Sequence, residues 1–318
     1  MAENIQEKGK KIIENVGKVI VGKEETCRLL LTALLSEGHV LLEDMPGTGK
    51  TKLTKSLAAS LSVDFARIQF TPDLLPSDVT GMNVFNRKTN EFDLRRGPVF
   101  TNILLADEIN RATPRTQAGL LECMEERQVT IDGISYPLSS PFLVIATQNP
   151  IETSGTFPLP EAQLDRFMIK LSMGQPTAEE EEAILHRFGM EDPYDKLQSV
   201  VTAEDLAAMK KEAVGVYVHE ALEKYIVELV SATRKKEKVI AGVSVRGALA
   251  LMRASKAYAA LLGRNYCIPD DVKKLAVPVL AHRLVISYGY QKGDEAQKII
   301  REILEEIPAP TEDFTKVL

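Results

Sequence analysis

The sequence predicts an α/β protein, in which a parallel sheet of five strands covered by helices is followed by an all-α part. Three observations predict it. Short apolar runs alternate with helical stretches through the first half, as in sheets whose strands are buried under helices. A glycine-rich turn at residues 43–51 falls between one such run and the helix after it. Beyond Gly174-Gln175-Pro176 the β-rich runs almost vanish and helical stretches follow one another to the end.

Taken in order, Ile5, Ile12, Ile13 and Val16 mark one face of an opening helix that Val21-Gly22 breaks. Cys27 to Leu35 is a second, strongly apolar helix. His39 to Leu42, Val63 to Phe70, Asn102 to Ala106, Phe142 to Thr147 and Phe167 to Leu171 are the strands. Each is a short apolar run bounded by polar or turn residues, as buried parallel strands tend to be. Val129 to Ile131 and Ile134 to Tyr136 flank Asp132-Gly133, a two-residue hairpin signal. Asn83 to Arg95 is polar and turn-rich around Lys88-Thr89-Asn90, and reads as an insertion projecting from the body.

The helical half comprises Ala178 to Phe188, Ala203 to Lys211, Glu220 to Lys235, Val245 to Leu262, Asp270 to Leu284 and Asp294 to Ile307, and Pro308-Ala309-Pro310 ends the last. The expected division is an α/β core over 1–176, with an inserted hairpin near 83–96, and a helical domain over 177–318.

Bulk properties narrow the function. Hydrophobic residues at 44% and charged residues at 26% are the balance of a globular protein. The net charge of −6 gives no support to nucleic-acid binding. Cys27, Cys123 and Cys267 are scattered and form no CxxC pair, which argues against a disulfide framework or zinc site. No apolar run approaches the roughly 18 residues of a membrane span. The charged N-terminus has no secretory h-region, so the expected compartment is the cytoplasm.

The chemistry begins at 43–51. A strand, a Gly-rich turn and a helix opening on Lys-Thr is the context a phosphate loop needs. Gly47 and Gly49 let backbone N–H groups turn inward, and the helix adds its positive dipole end. Lys50 would reach the β- and γ-phosphates, and the Thr51 hydroxyl would ligate Mg²⁺. The pattern GxxxxGK[ST] has its first glycine replaced by Asp44. That glycine contributes turn geometry, and Asp tolerates unusual backbone angles better than most residues.

Further on, Ile103 to Ala106 lead into Asp107-Glu108, which places two carboxylates at the tip of a buried strand. Asp107 suits a water-mediated hold on the metal. Glu108 suits a base that orients and deprotonates the attacking water.

With these residues in hand, the chain resembles the AAA+ ATPases, and within them the MoxR family. The resemblance runs through EDMPGTGKT at 43–51, LLADEINRA at 104–112, IATQNP at 145–150, FPLPEAQLDRF at 157–167 and SVRGAL at 244–249. It implies ATP and Mg²⁺ as cofactors, with ATP bound by Val21, Gly22, Pro46, Gly47, Thr48, Gly49, Lys50, Thr51 and Lys52. It implies that Asn149 is a first sensor beside the lytic water, and Arg166 an arginine finger for the neighbouring subunit. Arg246 becomes a second sensor, touching the γ-phosphate of its own subunit. For Arg111 an interface contact and a structural ion pair both stay open.

The resemblance also implies a homo-oligomeric ring, six being the family's habit, that remodels or matures client protein complexes with a von Willebrand A domain partner. Two rivals are a nucleic-acid remodeller, tested by ATP-sensitive gel shifts, and a nucleotide-gated scaffold with little hydrolysis. The net charge opposes the first, and the intact Glu108, Asn149 and Arg166 oppose the second.

Overall fold

The structure, a computed structural model, describes residues 4–45, 47–150, 155–189, 191–287 and 294–315. In chain order it runs α1 (Ile5–Gly17), α2 (Glu24–Leu35), β1 (Val40–Glu43), α3 (Lys50–Leu61), β2 (Phe65–Gln69) and α4 (Pro76–Thr80). A hairpin follows, β3 (Gly81–Asn86) with β4 (Glu91–Arg96), then β5 (Ile103–Asp107) and α5 (Pro114–Glu126). A second hairpin, β6 (Gln128–Ile131) with β7 (Ile134–Pro137), precedes β8 (Leu143–Gln148), α6 (Glu161–Leu164) and β9 (Ile169–Leu171). The helices α7 (Ala178–Phe188), α8 (Ala203–Gly215) and α9 (Glu220–Thr233) come next. β10 (Val239–Ala241), α10 (Val245–Leu261), α11 (Pro269–Leu280), β11 (Val285–Ile286) and α12 (Glu295–Glu306) complete the chain.

All five expected strands form one sheet in the order β2-β5-β8-β1-β9, and every pairing in it is parallel. Parallel strands collect their carboxyl ends on one edge, where open α/β sheets bind ligands. The inserted segment is the β3–β4 hairpin, and the described part of the helical half includes a short antiparallel pair, β10–β11. That pair escapes periodicity because two or three residues are too short to alternate.

Side-chain alternation splits the core. Val40, Leu42, Ile103, Leu105, Leu143 and Ile145 join the cluster built with α1, α2, α3 and the C-terminal helices. Leu41, Leu104, Ala106, Val144 and Ala146 join the opposite cluster, with α5 and the second hairpin. A strand turns successive side chains to opposite faces, so both faces must be covered and the strands read as unbroken apolar runs. The first cluster crosses residue 176: Ile12 and Val16 of α1 share it with Leu251, Ala254 and Leu261 of α10. At Gly9 an added Cβ would fall 2.7 Å from Leu261 Cδ2, so glycine lets α1 approach α10 closely.

Candidate functional site

β1 ends at Glu43 and α3 begins at Lys50, with Gly49 as its N-cap at φ 85° and Gly47 at φ 84°. Both angles lie in the left-handed region that favours glycine. A Cβ at either position would meet nothing within 4 Å, so the backbone angle alone demands glycine and the space over the loop is open. The first turn of α3 has no acidic residue and no side-chain cap. Its N–H groups and dipole are therefore left to an anionic ligand. Lys50 Nζ donates to the carbonyls of Asp44 (3.0 Å) and Met45 (3.4 Å), folded back along the loop. Thr51 is the second residue of α3; Pro46 lies outside the described residues.

One member of the expected binding set, Lys52, and the pattern-breaking Asp44 have partners of their own in the fold. The Lys52 ammonium pairs with Asp192 and lies 5.3 Å from the Phe188 ring centroid and 5.6 Å from that of Tyr194. Only its backbone remains for a phosphate. Asp44, which the sequence reading took as tolerant of unusual backbone angles, does not have a positive φ. Its buried carboxylate instead accepts from Ser172 Oγ (2.6 Å), Met173 N (2.7 Å) and Gly174 N (3.1 Å), bolting the loop to the end of β9. A glycine could make none of these bonds.

The acid pair stands at the carboxyl end of β5. Thr147 Oγ1 donates to Asp107 Oδ1 at 2.6 Å and accepts the Glu108 N–H at 2.8 Å. Arg67 reaches Asp107 Oδ2 through Nη2 (2.8 Å) and Nε (3.2 Å). Glu108 sits at φ 54°, a left-handed turn that re-aims its side chain. Its Oε2 accepts from Gln69 Nε2 (2.8 Å) and lies 2.9 Å from Arg111 Nε, so Arg111 makes the ion pair. Asn149 directly follows β8, the strand between β5 and β1, and is buried. One carboxylate and one hydroxyl suit Mg²⁺, which keeps waters and takes phosphate oxygens.

Arg67, Gln69 and Thr147 were missed by sequence reasoning. The available signal was that Arg67 and Gln69 are polar at i, i+2 in a run read as buried, which puts them on one face at the strand's carboxyl end.

Val21-Gly22 abuts the first helix of the C-terminal half. Gly22 has φ 69°, and a Cβ there would overlap Glu180 Oε1. Lys23 Nζ is 3.4 Å from Glu180 Oε2. Since Phe188 of the same helix meets Lys52, α7 links the Val21-Gly22 segment with the phosphate helix.

The two arginines lie elsewhere. Arg166 follows α6 just ahead of β9, where Met168 N–H donates to His39 O at 2.8 Å; this is the amino end of the sheet. Arg246, in the first turn of α10, is there too. Arg166 Nη2 is 3.1 Å from Glu125 Oε2, Arg246 pairs with Glu125 Oε1, and Arg246 Nε is 4.0 Å from Asp165 Oδ2. Together they line a cleft of about 470 Å³. The expected contact of Arg246 with the γ-phosphate of its own subunit is not among the contacts of this arrangement, in which Arg246 pairs with Glu125. β1 alone carries the chain about 10 Å from that end to the phosphate loop, and the start of α10 is held at the far end by Glu125 and Asp165.

With the phosphate turn and the acid pair on one carboxyl edge of this sheet, the class of protein is an AAA ATPase, and comparison with known sequences agrees. Residues 39–169 match the ATPase family associated with various cellular activities (AAA), and residues 231–306 match the AAA lid domain. The Bacillus subtilis protein YeaC is 49% identical over 303 residues, covering 95% of each chain. Chaperone MoxR1 of Mycobacterium tuberculosis is 43% identical over 94% of this chain and 81% of its own. The crystal structure of a proposed ATPase from Cytophaga hutchinsonii superposes with a TM-score of 0.90 at 42% identity, covering 96% of both chains. The chain belongs to the MoxR family of AAA ATPases.

Among the described residues no helix is long and apolar enough to cross a membrane.

Proposed function

We propose that this protein binds ATP with Mg²⁺ at the loop closed by Gly47 to Thr51 and hydrolyses it in a closed ring of identical copies, six by resemblance to its family. One observation carries the shared site: Arg166 and Arg246 stand together at the opposite end of the sheet from Lys50, so a single chain does not complete its own γ-phosphate pocket. In the ring both arginines face the nucleotide of the next copy. Magnesium, held by Thr51 and through water by Asp107, would neutralise phosphate charge. Lys50 leaves the Asp44 and Met45 carbonyls for the phosphates, and Asn149 orients the lytic water. Glu108, steadied by Gln69 and Arg111, takes the water's proton.

The parts that move are a core of residues 1–176 and a lid of residues 177–318, and their motion is the output. A relative is named a chaperone; by that likeness the output acts on client protein complexes, with a von Willebrand A domain protein as partner.

The test is complementation. Arg166→Ala and Lys50→Ala are each expected to lose turnover, and mixing them restores part of it, because Lys50→Ala supplies a finger to an intact loop. Two inactive proteins that stay inactive when mixed, or wild-type turnover per chain that persists at concentrations where only monomer remains, would overturn the reading.

A further inference from the structure

Arg283 has no part in the mechanism above, yet it is among the most heavily bonded side chains of the described residues. It ends the 3-10 turn after α11, and its side chain is 3% exposed. Nε donates to Asp165 Oδ1 at 2.6 Å. Nη2 donates to the carbonyls of Asp165 (3.2 Å) and Phe167 (2.8 Å), and Nη1 to those of Met168 (3.2 Å) and Val279. Five acceptors match the five N–H bonds of a guanidinium. Three of the carbonyls belong to residues 165, 167 and 168, which bracket Arg166.

The stem is bound to the lid as closely as the head is to the finger segment. A Cβ on Gly247 would fall 2.9 Å from Arg283 Cδ, so α10 passes under this side chain at a glycine one residue beyond Arg246. Burial pushes Arg283 below its usual range and the Asp165 carboxylate opposes that, so the buried guanidinium depends on this partner for its charge compensation.

We propose that Arg283 is the positioning residue for Arg166: it ties the finger's backbone to α10 and α11, so that lid movement in one copy moves the arginine offered to the next. The inference rests on the shared-site reading above and adds to it the lever between lid and finger. Lysine cannot do this work, because one ammonium lacks the fork that spans these carbonyls.

The experiment uses Arg283→Lys in the full chain, assayed for phosphate release and for binding of a fluorescent ATP analogue. A finger displaced by about 1 Å costs on the order of 10²-fold in turnover, expressed in kcat, while analogue affinity is unchanged because the loop at the other end of the sheet is intact. Mixed with Lys50→Ala, Arg283→Lys regains turnover, since its own loop receives a sound finger. Mixed with Arg166→Ala it does not, since no sound finger is present.

The Arg166→Ala and Lys50→Ala mixture is the control. If that control fails, the shared site is wrong; if it succeeds and Arg283→Lys either keeps full turnover or is rescued by neither partner, the lever is wrong. Should Arg283→Lys not fold, Gly247→Ala displaces the same side chain by a methyl group, and the same mixing pattern is required of it.

Discussion

The carboxylate of Asp44 accepts the backbone N–H of Met173 at 2.7 Å, joining the start of the phosphate loop to the end of the neighbouring strand. Ser172 and Gly174 complete the clamp. Removing a buried acceptor strands its donors, at about 1–3 kcal/mol for each group left unpaired. Asp44→Gly rebuilds the usual GxxxxGK[ST] pattern, and it is expected to lower stability by about 2–4 kcal/mol in urea unfolding. A loss below about 0.5 kcal/mol, typical of surface changes, would show that the clamp is dispensable.

Glu108→Gln keeps the shape of the side chain and removes its basicity. Turnover is expected to fall by on the order of 10²–10⁴-fold, with ATP affinity nearly unchanged, because Lys50 and the loop N–H groups are untouched. Phosphate release and a binding titration on the same preparation check both halves. Retained turnover would assign the base elsewhere.

Gly49→Ala separates backbone strain from contact. With φ at 85° and open space around the added Cβ, the cost to stability is confined to the left-handed conformation, about 1–2 kcal/mol. Relief of that strain turns the N–H groups at the start of α3 away from the phosphates, so ATP affinity should fall by on the order of tenfold or more. Calorimetric melting and nucleotide titration measure the two effects independently.

His39 makes stability depend on pH. Its Nε2 meets Met124 O at 3.0 Å and its Nδ1 accepts from Val144 N at 3.0 Å, inside the core. Burial brings it down to about 4 from an ordinary 6.5. The unfolded chain therefore binds the proton more readily between those values, and stability falls as pH drops through that window. The contribution is complete above about pH 6.5, and its loss is complete near pH 4. His39 alone accounts for on the order of 3 kcal/mol. His282, also pushed down by burial, acts in the same direction. Urea unfolding at pH 7, 6 and 5 should show the decline, and His39→Gln should flatten it; an equal slope in both proteins would refute the assignment.

Much of the architecture was legible because it is written locally. The five strands read as apolar runs since both faces of the sheet are covered, and Asp132-Gly133 signalled its hairpin within six residues. The phosphate loop is strand, turn and helix in one continuous stretch, so its backbone angles follow from the residues that occupy it. Asp107 and Glu108 could be placed at a strand tip from the apolar run before them.

The sequence by itself pointed to the residues suited to grip a triphosphate and to take a proton, because those properties belong to a side chain and its near neighbours. The tertiary structure alone decided that Gln69 and Arg111 hold Glu108, that Asp44 is a clamp, and that Arg246 stands beside Arg166. Those pairings depend on the strand order and on where α10 docks. Both are settled by packing between segments far apart in the chain, which no local periodicity records.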